Sequence, residues 1–508
     1  MFRDDVALRR SCGGSSSRLA CRPSSLLPAL SKGALRLATG LGMAWALAST
    51  CTAALAAAPS DLPPEVRAAL QRARVPETAV AFVVQEAGSG KNLLRHQPQL
   101  LVNPASLAKL VTTYAALDLL GPAWSWSTPV LFTGPVRDGV LEGDLVIKGA
   151  GDPKLVIERL WQLMRRVQQL GVREIRGDIV LDRSAFAPPE AGAADFDGEA
   201  SRPYNVQPDA LLLNFHASTY TFTPDAARGV ARVSADTDPP AAPERTVPLS
   251  AGPCDDWRGA LKAQTAEGAW RFAGSYPGSC GEQSWPLAEP DPAAATARWV
   301  AAQWKELGGR LQGRVREGRA PPGARLAFEA KSPALAEAVR DINKFSNNVM
   351  AQQLFLTLAL QRQPQVPATA EGARETLRRW IAERIGEPAA GELVIDNGSG
   401  LSRQWRLTAQ WLAHLLQHAW SSPVMPELLS SLPLYGVDGT LRRPRAQAGR
   451  AHLKTGSLRD VVGLAGVVLS HSGRRHVLVA VIHHPNAQAA RPALEALVQW
   501  TLRDGPAR

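Results

Sequence analysis

Three short clusters of side chains, far apart along the 508-residue chain, carry groups that can perform acyl transfer. Ser106 and Lys109 stand three residues apart. A serine becomes a nucleophile when a base lies within hydrogen-bond reach and donors await the developing oxyanion. On a helix, positions i and i+3 share a face, so Lys109 is placed to serve Ser106. A serine in the first turn also lies beside backbone N–H groups and the positive helix end. Taken alone, Ser-x-x-Lys equally describes a capped or solvated helix. Ser346-Asn347-Asn348 and Lys454-Thr455-Gly456 follow. The first has a turn or helix cap as its plain reading, the second an exposed strand end with a glycine bulge.

The elements around these clusters are legible. Asn103 and Pro104 read as an N-cap and first helical residue, and Leu107, Leu110, Val111, Tyr114 and Leu117 recur at helical spacing up to Gly121, a stop signal. Before them, a helix over Pro63 to Ala73 precedes a hairpin, with Thr78 to Gln85 and Lys91 to Arg95 as strands. From about Thr128 to Pro333, short strand-like runs alternate with Pro, Gly and Asp clusters, which suggests inserted material. Helical pattern resumes near Ala334, breaks around Asn343 to Asn347, and continues over Val349 to Leu360, Ala368 to Ile385 and Leu407 to Ala419. Ala451 to Lys454, Val462 to Ser470 and His476 to His484 read as successive antiparallel strands, and an amphipathic helix on Leu494, Leu497, Val498 and Thr501 closes the chain. Lys454-Thr455-Gly456 therefore falls at a strand end, and Ser346 at a helix break.

The leader has a different composition. Arg3, Arg9, Arg10, Arg18, Arg22, Lys32 and Arg36 precede a small, apolar stretch from about Leu37 to Ala58, the pattern of a signal peptide cleaved near Ala56 or Ala58; an uncleaved anchor is the alternative. Export to the periplasm is the expectation. Three of the five cysteines lie in this leader, which leaves Cys254 and Cys280 for one disulfide in an oxidising compartment, or for two free buried thiols. Residues 1–58 hold seven basic and two acidic groups and so carry five of the eleven net positive charges. The remaining excess suits an anionic partner such as cell-wall polymer, or is a solvated face. No interleaving of basic and aromatic residues points to nucleic acid, and no His-Glu-x-x-His points to a zinc peptidase. Nothing in the sequence implies a metal or other cofactor. Membrane association is peripheral at most, and the oligomeric state stays open.

All three clusters, in this order and each on its expected kind of element, match the active-site set of penicillin-recognising serine enzymes. The chain resembles the class C low-molecular-mass penicillin-binding proteins, D-Ala-D-Ala carboxypeptidase/endopeptidases of the peptidase S13 type. The resemblance spans nearly all of the chain after the leader. It rests on Asn103 to Thr113, Gly149 to Pro153, Pro203-Tyr204-Asn205 with Asp209 to Asn214, Gly398 to Arg403, Gly436 to Thr440 and Ala451 to Gly456. Asn397, where an acidic residue is expected, and Ser457, where Thr often follows, depart from the pattern.

The resemblance implies an α/β fold of the serine β-lactamase and transpeptidase type, an antiparallel sheet flanked by helices, with a large β-rich insertion. That domain would comprise residues 59–127 and 334–508, and the insertion residues 128–333. It also implies roles. Ser106 attacks the D-Ala-D-Ala carbonyl, Lys109 is the base, Ser346 relays the proton to the leaving amine, and Asn348 orients Lys109 and the substrate amide. Lys454 and Thr455 hold the terminal carboxylate, Gly456 admits the substrate backbone, and the N–H groups of Ser106 and Ser457 form the oxyanion hole. Arg403 and Asp152 contact the charged stem peptide, unless they make a structural ion pair and an Asp-Pro turn. A lysine acts as a base only with a lowered pKa, for which Lys454 and desolvation are the available causes. Peptidoglycan stem peptides are the implied substrates and β-lactams the covalent inhibitors. A β-lactamase shares the nucleophile set, although no Glu-x-x-Leu-Asn pattern is present for deacylation. A non-catalytic wall-binding scaffold is the alternative outside enzymes.

Overall fold

The computed structural model describes residues 62–240, 242–388, 392–443 and 447–505. The leader, with its expected signal peptide, lies outside them. Among the described residues no helix is long and apolar enough to cross a membrane.

The central sheet joins the two ends of the described chain. Its five antiparallel strands run in the order Asn92–His96, Val80–Glu86, Arg475–His483, Val461–Leu469 and Ala451–Leu458. The middle strands are continuously apolar because both faces are covered. Along Val80–Glu86, Val80, Phe82 and Val84 pack on the terminal helices Pro64–Arg72 and Arg491–Leu502, whereas Ala81 and Val83 face the opposite core. That opposite core holds the helices Ala108–Leu120, Leu335–Lys344, Asn348–Arg362 and Ala409–Trp420. Helix Ala108–Leu120 is buried on nearly every side, at the centre of this core, and takes Lys109, Thr112 and Thr113 inside with its apolar residues.

Between the helix of Ser106 and the helix of Lys344 the chain leaves and returns along one antiparallel pair, Ser125–Phe132 with Arg325–Ala334. These strands belong to a mixed five-stranded sheet packed on the helices Ile157–Gln169 and Pro292–Glu306. The sequence reading named neither helix. Leu160, Leu163, Met164 and Val167 are buried at helical spacing in the first, a signal obscured by the surrounding turn residues. A second five-stranded sheet, with Val230–Ala235 at its centre and Ala217–Asp225 beside it, packs around Tyr220, Phe222, Trp257 and Tyr276. Cys254 and Cys280 are disulfide-bonded beside that aromatic core.

Two local readings need correction. Asn103 does not cap a helix that begins at Pro104: its Oδ1 accepts the Ala105 N–H at 2.8 Å, residues Ala105–Leu107 form a 3-10 turn, and the α-helix starts at Ala108. Lys454-Thr455-Gly456 lies inside a strand, which runs on to Leu458, rather than at its end.

Candidate active site

The 3-10 turn puts Ser106 at the head of the helix that carries Lys109, and the Lys109 ammonium donates to Ser106 Oγ at 3.0 Å. Lys109 is fully buried. Its other donors reach Asn348 Oδ1 at 2.6 Å and the Ser399 carbonyl at 2.6 Å. Burial first, and then the neighbouring Lys454 ammonium, push Lys109 well below the usual lysine range. A neutral amine beside a serine hydroxyl is a base aimed at a nucleophile.

Ser346 stands at the break between two helices. It has φ +57°, and Asn347 caps the following helix by accepting the Met350 N–H at 3.1 Å. The break thereby places Ser346 and Asn348 side by side. Asn348 points its oxygen at Lys109 and donates its amide to the Tyr204 carbonyl at 3.0 Å. Ser346 Oγ accepts from Lys454 Nζ at 2.8 Å, and the same ammonium donates to the Thr455 carbonyl at 2.8 Å. Lys454 is also fully buried, and desolvation pushes its ammonium down to about 7.

Strand Ala451–Leu458 is the edge strand of the central sheet, paired along its length with Val461–Leu469. Such an edge offers unpaired backbone groups to an extended peptide. Its first residues are covered, because Leu453 N donates to the Pro433 carbonyl and Tyr435 N to that of Ala451. Gly456 has a function beyond the one expected. A Cβ there would lie 2.8 Å from the Pro104 carbonyl and 3.1 Å from Leu107 Cγ, so only glycine lets this strand close on the Ser106 turn.

Sequence reasoning missed the loop 397–402 as a part of the site. Asn397 Oδ1 accepts from the backbone N–H groups of Ser399 and Gly400 at 3.0 and 2.9 Å, which aims the Ser399 carbonyl at Lys109. Gly400, at φ +75°, clears the Ala105 carbonyl, where a Cβ would sit 1.9 Å away. A neutral amide serves this loop because Asn397 must also donate, to the Leu401 carbonyl at 3.0 Å, which an ionised carboxylate cannot do. A three-stranded sheet (Leu393–Val394, Arg406–Thr408, Leu101–Val102) ties the loop to the Ser106 turn. The Gly398-Ser399-Gly400 triplet was the available signal, since two glycines flanking one residue mark a close approach.

The remaining expected residues are placed less directly. Ser457 is exposed, and its hydroxyl accepts from Arg491 at 3.0 Å. Arg403 stacks over Phe196 at 4.6 Å and reaches Asp460 at 3.5 Å; it lines a cleft of about 420 Å³ with Phe196 and Asn397. The Asp152 carboxyl is buried, accepts the Lys154 N–H at 2.8 Å, and is pushed up to about 6, chiefly by desolvation. It borders a separate depression with Arg159, Arg166 and Lys331, which includes none of the clustered residues above.

A serine, two buried lysines, a second serine and an amide around the mouth of one edge strand define a penicillin-recognising serine acyl-transferase site. The solved structure of penicillin binding protein 4 (dacB) from Haemophilus influenzae has the same fold, with a TM-score of 0.68 and 21% identity over 85% of this chain and 99% of that one. A second structure of that protein, complexed with a β-lactam, matches with a TM-score of 0.66. Among curated relatives, the D-alanyl-D-alanine carboxypeptidase DacB of H. influenzae is 24% identical, over 81% of this chain and 86% of its own length. The D-alanyl-D-alanine carboxypeptidase of Actinomadura sp. is 28% identical, over 86% and 82%. Residues 62–503 match the profile of the D-Ala-D-Ala carboxypeptidase 3 (S13) family, and the chain belongs to that family. It is a serine-type D-Ala-D-Ala carboxypeptidase, a hydrolase.

Proposed function

We propose that this carboxypeptidase acts in the periplasm on peptidoglycan stem peptides and their cross-links, through an acyl-enzyme on Ser106, and that β-lactams arrest it there. The observation that carries the reading is the buried Lys109, its pKa lowered by desolvation, at 3.0 Å from the Ser106 hydroxyl.

Ser106 Oγ attacks the penultimate D-Ala carbonyl while its proton passes to Lys109. The backbone N–H groups of Ser106 and Ser457 receive the oxyanion. Collapse breaks the peptide bond, and the leaving amine takes a proton from the Ser346 hydroxyl, which Lys454, 2.8 Å away, helps restore. Water then cleaves the ester: Lys109 returns its proton to Ser106 Oγ as the ester breaks, and the proton released by the attacking water replaces the one that Lys454 gave up through Ser346. A β-lactam follows the same first step, but its leaving group stays tethered to the acyl chain. Arg403 and Asp152 complete the reading as contacts to the charged stem peptide.

The test is a pair of assays. Fluorescent penicillin is expected to label the wild type covalently and to leave Ser106→Ala unlabelled; equal labelling of both would refute the nucleophile. Purified protein is expected to release D-Ala and to cleave D-Ala-meso-diaminopimelate cross-links while turning penicillin over slowly. Rapid penicillin hydrolysis without D-Ala release would make it a β-lactamase, and silence in both assays a scaffold.

A further inference from the structure

Lys344 ends the helix just before Ser346, yet it is only 5% exposed and has no place in the chemistry above. Its ammonium meets Asp438 Oδ2 at 2.6 Å. The other carboxylate oxygen of Asp438 accepts the Leu434 N–H at 2.7 Å, which closes the loop on itself. The next residue, Gly439, has φ +56°, and a Cβ there would stand 2.5 Å from the Lys344 carbonyl. The loop is thus pressed onto the end of the Lys344 helix, and its Thr440 Oγ1 lies 2.8 Å from Thr455 Oγ1. Thr440 is exposed and Thr455 partly so, at the uncovered stretch of the edge strand.

Two hydroxyls at this distance share one proton between them and leave one free. When Thr440 donates to Thr455, the free proton is that of Thr455, and the donation it accepts makes it a stronger donor in turn. Without Thr440 the Thr455 hydroxyl can rotate toward a nearby carbonyl and is no longer held ready for an anion.

We propose that Thr440 is a positioning residue for carboxylate recognition: it holds the Thr455 hydroxyl with its proton directed at the terminal carboxylate of the substrate, and the ion pair of buried Lys344 with partly exposed Asp438 fixes it there. The pair also links the carboxylate site to the Ser346 turn, two residues from Lys344, so the relay and the anchor keep one spacing. The proposal rests on the reading of Ser106, Ser346 and Lys454 as the acyl-transfer site.

The experiment compares two D-alanyl thioesters, one whose leaving group bears a carboxylate and one in which that carboxylate is a methyl ester. Thioesters are reactive enough for both to be measured. Thr440→Val is expected to lower kcat/KM about tenfold for the carboxylate, the value of one hydrogen bond to a charged group, and less than about twofold for the ester. The loss is expected mainly in KM. Thr440→Ser is expected to restore the ratio, and Asp438→Asn to reduce it as Thr440→Val does. Because the readout is a ratio within one preparation, partial unfolding cancels. Equal losses on both substrates, or none on either, would overturn the proposal. Wild-type protein that cleaves neither thioester would overturn the underlying acyl-transfer reading instead, and the proposal with it.

Discussion

Lys454 couples stability to function, and replacing it with methionine should separate the two. Its ammonium has fallen from 10.5 to about 7 through desolvation. At about 1.4 kcal/mol per pH decade, the protonated form is disfavoured in the folded protein by roughly 5 kcal/mol. At pH 7 half of the folded molecules carry the proton, and about 4 kcal/mol of that still opposes folding. Methionine has similar length and no charge to desolvate. It abandons two hydrogen bonds, to Ser346 Oγ and the Thr455 carbonyl. Both residues are partly exposed, so water can replace the lysine and the loss is about 1 kcal/mol. Desolvation outweighs it. Lys454→Met is therefore expected to stabilise the fold by about 2–3 kcal/mol at pH 7.

The pH dependence has a definite sign. Between pH 7 and 10.5 the unfolded chain holds the Lys454 proton and the folded one releases it, so wild-type stability gains from this group as pH rises, and Lys454→Met does not. Urea unfolding of both proteins at pH 7 and pH 10, with the disulfide intact, measures the difference directly. The variant's advantage should shrink to about zero at pH 10, while its acylation by penicillin falls about 10- to 100-fold for want of the carboxylate's cation. A variant less stable than wild type at pH 7, or an advantage equal at both pH values, would refute the reasoning.

Acylation of the wild type should rise with pH through the depressed pKa of Lys109, because only the neutral amine accepts the serine proton; stopped-flow penicillin acylation checks this, and in Lys454→Met the rise should move to higher pH as the Lys454 charge no longer depresses Lys109. Gly456→Ala should slow acylation about tenfold or more with little change in expression, since a Cβ at 2.8 Å from the Pro104 carbonyl forces the edge strand off the Ser106 turn; intact-mass kinetics would show it. Reduction of Cys254–Cys280 opens a loop closed over 26 residues, for which chain entropy gives a loss of about 3.5 kcal/mol. Penicillin labelling at 25 °C should survive reduction, while the unfolding midpoint falls.

Much of this protein is local in origin. The types and order of Ser106, Lys109, Ser346, Asn348 and Lys454 announced acyl transfer because each role needs a particular functional group. The central strands were legible as short apolar runs bounded by turn residues, and the helix of Lys109 by its apolar residues at helical spacing and its glycine stop. Asn397 looked like a departure from pattern, and its neutral amide is what the loop's own hydrogen bonds require.

What the sequence could not state are the properties that arise when distant segments meet. Lys344 reads as an ordinary solvated helix end until Asp438, 94 residues on, buries it. The Ser399 carbonyl has no side-chain signature at all, because any residue has a carbonyl and only the fold aims one. Gly456 shows its purpose only against Pro104. The low pKa values of Lys109 and Lys454 belong to this second class. Sequence alone put Lys109 one helical turn from Ser106, while tertiary structure brought Lys454 to Ser346 and decided that both lysines would lose their water, since desolvation depends on everything packed around an amine and not on the residues beside it in the chain.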